Sequence, residues 1–180
     1  MNINTPSYWD AAWEKHREGY AQDANRHRVA RFLKDAIPPG ARVLDIGGGC
    51  GVLSGHIKET CAVKVIDFSV YALNVLSKNG IDTQYADISL YENDNYGEFD
   101  IVTVLDFLEH LDEPWRAVKC AANHADHAFF AVPDSCMGPE SCSQHVRMYN
   151  MDSLQALLSE YWTSILFTKM GFDLIAETRK

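Results

Sequence analysis

Three aspartates stand where strand-like runs of the sequence end, and their carboxylates are the first candidates for chemistry. Asp45 comes just before a glycine cluster, Asp67 follows the apolar run 62–66, and Asp87 follows the run 83–86. The carboxyl ends of strands in an open α/β sheet share one edge, and that edge is where such sheets bind ligands. The repetition therefore predicts a polar ligand site formed by three neighbouring strand ends.

The glycines Gly47, Gly49 and Gly51 narrow the kind of ligand. Their G-x-G-x-G spacing departs from the dinucleotide fingerprint, because Val52 stands where that pattern needs a small residue. No Gly-Lys-Ser/Thr follows to make a phosphate loop. Glycine lets a ligand approach the backbone closely and accepts a positive φ. We expect a tight turn from a buried strand into a helix, with a nucleotide-type ligand against it.

Asp67 is the candidate for ribose binding. It lies about 20 positions beyond Asp45, where a βαβ unit places the carboxylate that accepts hydrogen bonds from ribose hydroxyls. The alternative interpretation is a helix N-cap, a role that Ser69 can fill instead. We favour the ligand role for Asp67.

Strand-like and helix-like patterns alternate along the chain. Strands are predicted at 43–46, 62–66, 83–86, 99–105 and 128–132. Apolar residues at helical spacing lie between these runs and also precede the first of them. Five alternations of strand and helix are typical of an α/β three-layer sandwich with a mainly parallel sheet.

The end of the chain predicts a change of strand direction. After a leucine-rich helix that begins near Leu154, two strand-like runs at 162–168 and 172–176 are separated by three residues. A connection that short makes the pair antiparallel. The sequence also allows the helix to continue past Trp162.

Two segments lack the pattern of core elements. Residues 1–24 predict a helical flap, anchored by Tyr8, Trp9 and Trp13, that either packs as ordinary core or covers the ligand. Residues 135–149 have no periodicity, and a loop of that length in a compact domain is more often functional than idle. We expect both segments to line the pocket of a second substrate.

Composition limits the class of protein. A chain of 180 residues, 47% of them hydrophobic, suits a single domain spanning 1–180. The start has no basic and apolar leader and no apolar run approaches ~20 residues, so we expect a soluble cytoplasmic protein without membrane segments. The five cysteines lack C-x-x-C pairs and are expected as reduced thiols. A net charge of −9 argues against nucleic acid as a partner, and the one basic concentration, residues 26–31, is interpreted as a solvated helix face.

Four motifs in order resemble a known family: Val-Leu-Asp-Ile-Gly-Gly-Gly-Cys-Gly, Ile-Asp-Phe-Ser, Ala-Asp-Ile-Ser, and Phe-Asp-Ile-Val-Thr-Val-Leu-Asp-Phe-Leu-Glu-His-Leu. The sequence resembles the class I S-adenosylmethionine-dependent methyltransferases, of the type 11 or ubiquinone-biosynthesis-like O-methyltransferase group. The resemblance covers roughly 29–176. It implies a Rossmann-like, seven-stranded sheet whose last strand is antiparallel, with S-adenosylmethionine as cofactor and S-adenosylhomocysteine as product.

The resemblance also implies roles for individual residues. Asp45 would hold the methionine amino group, Asp67 the ribose, and Phe68 the adenine face. By motif position, the residues that would contact the cofactor are Asp45, Gly47, Gly49, Asp67, Phe68, Asp87, Ile88 and Leu105. The acceptor would be a hydroxyl or amine of a small-molecule metabolite, and the chain would act as a monomer or homodimer.

Methyl transfer from a sulfonium needs mainly alignment of the acceptor, with a base only where the acceptor must lose a proton. His110 and His145 are the candidates for such a base, because histidine titrates near neutral pH. The run Asp-x-x-Glu-His at 106–110 also resembles a motif of metal-assisted O-methyltransferases, in which His145 would complete a set with Asp106, Glu109 and His110. We leave the metal out of the expected site. A cofactor-binding accessory or sensor module without catalysis is the other alternative.

Overall fold

The computed structural model describes residues 2–90, 95–135, 138 and 141–180. The predicted loop 135–149 therefore has residues 136, 137, 139 and 140 outside the described part of the chain. The elements of the described residues are, in chain order, α1 (Pro6–Ala21), α2 (Ala24–Ala36), β1 (Arg42–Ile46), α3 (Val52–Ile57), β2 (Ala62–Asp67), α4 (Val70–Lys78), β3 (Asp82–Tyr85), β4 (Ile101–Leu105), a 3₁₀ turn (Leu108–His110), α5 (Trp115–His124), β5 (His127–Pro133), α6 (Met151–Leu158), β6 (Ser164–Met170) and β7 (Asp173–Arg179).

The strands form one seven-stranded sheet in the order β3-β2-β1-β4-β5-β7-β6. From β3 to β5 all neighbours are parallel, and β7 is antiparallel to both β5 and β6. The chain runs from β1 outward to β2 and β3, and then returns to the other side of β1 for β4. The carboxyl ends of β1 and β4 therefore flank a topological switch point, where open sheets of this kind bind ligands.

Both faces of the sheet are covered. Leu44 and Val102 belong to the core that includes α5 and α6, whereas their neighbours Val43 and Ile101 belong to the core that includes α2 and α3. This alternation follows from the period of two in a strand, and burial on both faces explains the nearly continuous apolar runs. The predicted α/β three-layer sandwich with an antiparallel last strand is confirmed.

The end of the chain forms the predicted hairpin. A capping box between Asn150 and Ser153 begins α6, and the helix ends at Leu158. From Ser164 to Met170 the backbone pairs with β7, through a turn in which Gly171 has φ +65°. The alternative of a helix continuing past Trp162 is wrong, because the sheet takes up the backbone groups that such a helix would need.

The N-terminal helix α1 lies on the outside of the sandwich, where it contacts α4. Among its described side chains only Trp13 is buried. A second helix, α2, starts at Ala24, with the Asp23 side chain accepting hydrogen bonds from the Asn25 and Arg26 amides. The predicted flap thus contains α1, and Met1 lies outside the described residues.

Four cysteines are free thiols, and the fifth, Cys136, lies outside the described residues. Within the part of the chain that the structure describes, no helix has both the length and the apolar composition to cross a membrane.

Candidate active site

The glycine turn begins where β1 ends. Gly47, Gly49 and Gly51 have φ values of 68°, 52° and 80°, a region that other residues rarely adopt. A Cβ at Gly47 would overlap the ring of Phe107, and a Cβ at Gly49 would overlap the ring of Trp13. The glycines therefore make room for two rings of the protein itself, which form walls beside the turn.

Asp67 ends β2 with its carboxylate buried against this turn. One oxygen accepts from the Ser69 amide at 2.8 Å, and the other accepts from the Gly49 amide at 2.9 Å. Burial raises the pKa of Asp67 to about 6, against the opposing effect of these hydrogen bonds. The N-cap of α4 is Ser69, whose hydroxyl accepts from the Ala72 amide. Ser69 therefore takes the N-cap role, and Asp67 lines the cavity.

Asp45 is a second buried carboxylate beneath the turn. It is 2% exposed and accepts a hydrogen bond from the Thr103 hydroxyl on β4 at 2.7 Å. Burial raises the pKa of Asp45 to about 7, because hardly any water remains to solvate its charge. A cationic group brought beside Asp45 would restore the charged form.

A cavity of about 330 Å³ lies over the carboxyl ends of β1 to β4. A smaller recess of about 80 Å³ adjoins it beside the glycine turn and includes Asp45 and Leu105 in its lining. The eight residues predicted to contact the cofactor all line one or both of these spaces: Asp45, Gly47, Gly49, Asp67, Phe68, Asp87, Ile88 and Leu105. His110 lines both.

Arg26 is a site residue that the sequence interpretation missed. Its guanidinium lies 3.4 Å from the Asp106 carboxylate, and both side chains are about one quarter exposed and line the recess. The interpretation of residues 26–31 as a solvated helix face is therefore wrong for Arg26, which lines the recess and pairs with Asp106. The signal in the sequence was weak, because nothing in the helical spacing of α2 shows that it crosses the end of β4.

Asp106 follows β4 with φ 47°, an uncommon conformation for a residue other than glycine. Burial raises the pKa of its carboxyl, and the Arg26 charge opposes that effect. A further carboxylate, Asp173 at the start of β7, hydrogen-bonds the Asn25 side chain and has its pKa raised by burial to about 7. This edge of the sheet therefore concentrates acids around one guanidinium.

Two histidines and a glutamate cluster beside the cavity. The donor atoms of Glu109, His110 and His145 lie within 4.8 Å of one another, and all three residues are buried. His110 Nδ1 is 3.0 Å from the Gln144 carbonyl, and burial lowers the pKa of His110 to about 4. His145 packs its ring against His110 at 5.0 Å between centroids and is absent from the lining of both spaces in the described structure.

The predicted four-residue metal set is only partly brought together. Asp106 is outside the cluster and pairs with Arg26 instead. Burial raises the pKa of Glu109 well above its usual range, with the Asp106 charge adding to the effect. Its Oε2 atom is buried and, among the described residues, has no hydrogen-bond partner.

Residues 2–13, here called the N-terminal segment, cover the cavity. Asn2, Asn4, Trp9 and Trp13 line it. The Asn4 amide donates to the His110 and Gln144 carbonyls at 3.1 and 2.7 Å, while the Trp9 ring meets His110 edge-on at 5.1 Å. The aromatic residues of this segment predicted that it packs on the domain. No sequence pattern predicted the hydrogen bonds that its asparagines make.

Comparison with known proteins identifies the family. The model of a methyltransferase domain family matches residues 14–162. The chain belongs to this family. Over 107 residues it is 40% identical to a ubiquinone biosynthesis O-methyltransferase of Aromatoleum aromaticum, a match that covers 56% of this chain and 46% of that protein. The chain thus spans about half the length of the curated relatives it matches.

Solved structures agree on the fold. A TehB-like S-adenosylmethionine-dependent methyltransferase of Corynebacterium glutamicum superposes with a TM-score of 0.74 at 15% identity, covering 98% of this chain and 100% of that one. A magnesium protoporphyrin IX methyltransferase of Synechocystis with bound S-adenosylhomocysteine gives 0.68 at 17% identity, covering 93% and 86%. The family predicted from the motifs and the Rossmann-like fold are confirmed.

Proposed function

We propose that this methyltransferase moves the methyl group of S-adenosylmethionine to a hydroxyl or amine of a small-molecule metabolite. The cavity carries the proposal: its lining runs from the strand-end acids to His110, and the N-terminal segment forms one side of it. Its volume of about 330 Å³ is at the lower end of the range for small-molecule sites. An acceptor that reaches the methyl group must therefore be small or present a slender end.

The cofactor is assigned to the residues that line the two spaces. Asp67 accepts hydrogen bonds from the ribose, Phe68 lies on the adenine, and Asp87 with Ile88 meets its edge. The recess takes the methionine part between Gly47, Gly49 and the Leu105 backbone. Asp45 pairs with its ammonium.

Arg26 is assigned to the methionine carboxylate. Among the described residues that line the recess it is the one Lys or Arg side chain. A guanidinium matches a carboxylate in geometry as well as charge. Asp106 holds the guanidinium in place until the cofactor arrives.

His110 is assigned to the acceptor. Its low pKa keeps the ring neutral at pH 7, and with Nδ1 donating to the Gln144 carbonyl the Nε2 atom is left to accept a proton or hydrogen bond. A base of such low pKa removes a proton weakly, so we assign His110 to orienting the acceptor. His145 supports the His110 ring from behind.

The test is calorimetry with S-adenosylmethionine and S-adenosylhomocysteine, followed by methyl release over a panel of small hydroxyl and amine acceptors. Binding with transfer to a panel member supports the proposal. Binding without transfer to any acceptor favours the accessory or sensor module. Failure to bind either compound refutes the assignment of the site.

The same proposal covers partners and location. With a net charge of −9 the chain is unsuited to a polyanion, so no nucleic acid takes part. The enzyme acts in the cytoplasm as a monomer or homodimer. Light scattering together with a filter-binding assay on RNA and DNA checks the oligomeric state and the absence of nucleic-acid binding.

A metal-assisted O-methyltransferase is the second candidate, favoured by the cluster of Glu109, His110 and His145. Two imidazoles and a carboxylate with an unpartnered buried oxygen fit the ligand preferences of a divalent transition metal. A cation held there would lower the pKa of an acceptor hydroxyl. These three residues would hold it, and Asp106 stays with Arg26.

Chelation separates the two candidates. The metal-assisted reaction stops after exhaustive chelation, resumes with added magnesium, manganese or zinc, and is lost in Glu109→Gln. Calorimetry with each metal alone provides a readout that does not depend on the acceptor. Activity that ignores chelation, with no metal uptake by the parent protein, eliminates this candidate.

A further inference from the structure

Asp10 on α1 makes the one charged contact between the N-terminal segment and the start of α4 in the described structure. Its carboxylate accepts from the Ser69 hydroxyl at 2.6 Å and from the Tyr71 amide at 2.9 Å. A carboxylate is favourable there, because the first amides of a helix lack intrahelical partners and carry a partial positive charge. The start of α4 is thus capped twice, once by Ser69 and once from another helix.

The residues that Asp10 contacts belong to the turn that holds the ribose-binding carboxylate. Ser69 donates its amide to Asp67, and Asp67 in turn accepts from the Gly49 amide. Gly49 packs against the ring of Trp13, which returns to α1. Asp10 and Trp13 therefore join α1 to both sides of the Asp67 carboxylate.

The rest of the N-terminal segment is held by polar contacts at its other end. Asn4 binds the His110 and Gln144 carbonyls, and the Gln144 amide donates to the Tyr8 hydroxyl at 2.7 Å. Because only Trp13 is buried among the described side chains of α1, little apolar burial holds this helix. Elements with few buried contacts open at low free energy.

The N-terminal segment lines part of the cavity without filling it. A volume of about 330 Å³ remains beside Asn2, Asn4, Trp9 and Trp13. A ligand therefore fits with α1 in place. Segments that line a ligand cavity and have few buried contacts are those whose opening and closing accompany ligand exchange.

We propose that Asp10 is a positioning residue that couples the cofactor to closure of α1. The proposal rests on the proposed function, since it takes Asp67 as the carboxylate that holds the ribose. When the ribose fixes Asp67, the turn 67–71 presents the Ser69 hydroxyl and Tyr71 amide in the geometry that Asp10 accepts. α1 then closes over the bound cofactor and slows its release, and loss of the ribose loosens the same turn and lets α1 open.

The experiment uses S-adenosylhomocysteine and three variants of the full chain. Asp10→Ala removes both hydrogen bonds, Asp10→Asn keeps an oxygen acceptor without the charge, and Glu14→Gln removes a charge from an exposed position one turn further along α1. The dissociation rate is measured by chasing labelled S-adenosylhomocysteine with excess unlabelled compound. Amide hydrogen exchange over residues 7–21 is measured with and without the ligand.

We expect the ligand to slow exchange of α1 in the parent protein and in Glu14→Gln. In Asp10→Ala that protection is lost and dissociation is faster by about tenfold or more, the factor that a lost charge-assisted hydrogen bond gives. Both the protection of α1 and the dissociation rate of Asp10→Asn should lie between those of the parent protein and those of Asp10→Ala. A purely structural role for Asp10 would alter exchange of α1 without changing the dissociation rate.

Two results overturn the coupling. One is unchanged dissociation in Asp10→Ala, whatever happens to exchange in α1. The other is tighter binding in Asp10→Ala, which would mean that α1 competes with the ligand for the cavity. A parent protein that binds neither cofactor nor product refutes the proposed function itself, so the two failures are distinguishable.

Discussion

The two halves of the site are built in different ways. The half assigned to the cofactor uses one aspartate from the end of each of three strands. Asp45 lies near the end of β1, Asp67 ends β2, and Asp87 follows β3, each beside its own turn. The half assigned to the acceptor, together with its border at Arg26, is formed by residues that span nearly the whole chain: Asn4, Trp9, Arg26, Asp106, His110, His145 and Asp173. The first half repeats one local motif, whereas the second is assembled from segments that are far apart in the sequence.

The difference lies in what fixes each side chain. Asp67 is held by two backbone amides, from Gly49 and Ser69, which come with the βα turns themselves. His110 is held by the Gln144 carbonyl and the Trp9 ring, which belong to segments far from it in the sequence. Changes in the first half should therefore act on cofactor binding directly, and changes in the second through neighbouring segments.

The largest effect is expected from Gly49→Val. The new side chain meets a positive φ, which costs about 1–3 kcal/mol, and also the ring of Trp13. Affinity for S-adenosylhomocysteine should fall by about 100-fold or more. Gly55→Ala is the control, because a Cβ there meets nothing within 4 Å and φ is not positive. Equal losses in both variants would mean that the turn is unrelated to the cofactor.

Asp67→Ala comes next. Removal of a charged acceptor for the ribose hydroxyls costs about 1.5–3 kcal/mol, which is a loss of affinity of about 10- to 150-fold. Asp35→Ala, an exposed change on α2, controls for net charge. Calorimetry with S-adenosylhomocysteine measures both. Parental affinity in Asp67→Ala would show that the ribose lies elsewhere.

Arg26→Gln tests the border between the halves. The variant should lose about tenfold in affinity for S-adenosylhomocysteine, since a charge-assisted pair with the carboxylate is removed. Its affinity for 5′-methylthioadenosine, which lacks the amino-acid part, should be unchanged. Arg28→Gln, on the exposed side of the same helix, should affect neither ligand. A similar loss for both ligands in Arg26→Gln would place the guanidinium away from the carboxylate.

The smallest effect concerns pH. Because the pKa of Asp45 is about 7 in the free protein, its carboxyl is increasingly protonated below that pH and must lose a proton to pair with the ammonium. Affinity for S-adenosylhomocysteine should weaken by about eightfold between pH 7.5 and 6.0, and the trend should flatten in Asp45→Asn. Calorimetry over this range in the two proteins measures it. A flat profile in the parent protein would contradict the pairing.

The raised pKa of Asp45 also affects the stability of the folded protein. A raised pKa means that the folded state favours protonated Asp45, so its contribution to stability is present below the usual carboxyl pKa of 3.8 and is lost as pH rises through about 7. Asp45→Asn should therefore raise the free energy of unfolding at pH 7.5 and change it little at pH 4. Denaturant unfolding at the two pH values provides the comparison.

The sequence by itself predicted the half of the site that is assigned to the cofactor. Strand-end acids at Asp45, Asp67 and Asp87 and the glycine turn were readable because each is encoded within a few residues, where chain geometry limits the alternatives. The same is true of the alternating elements and of the final hairpin, whose connection of only two residues in the structure allows only an antiparallel pair. Ser69 was already named as the residue that could serve as the N-cap instead of Asp67.

Only the tertiary structure decided the acceptor half. Helical spacing marks which face of α2 is apolar, but it does not say that Arg26 lies above the end of β4, and the spacing at 106–110 does not show that Asp106 turns away from Glu109 toward that guanidinium. Asn4 and Asp10 are ordinary polar residues until α1 is placed across α4 and the cavity. Contacts between segments so far apart depend on how whole elements pack, and a pattern that repeats every two or 3.6 residues carries no information about that packing.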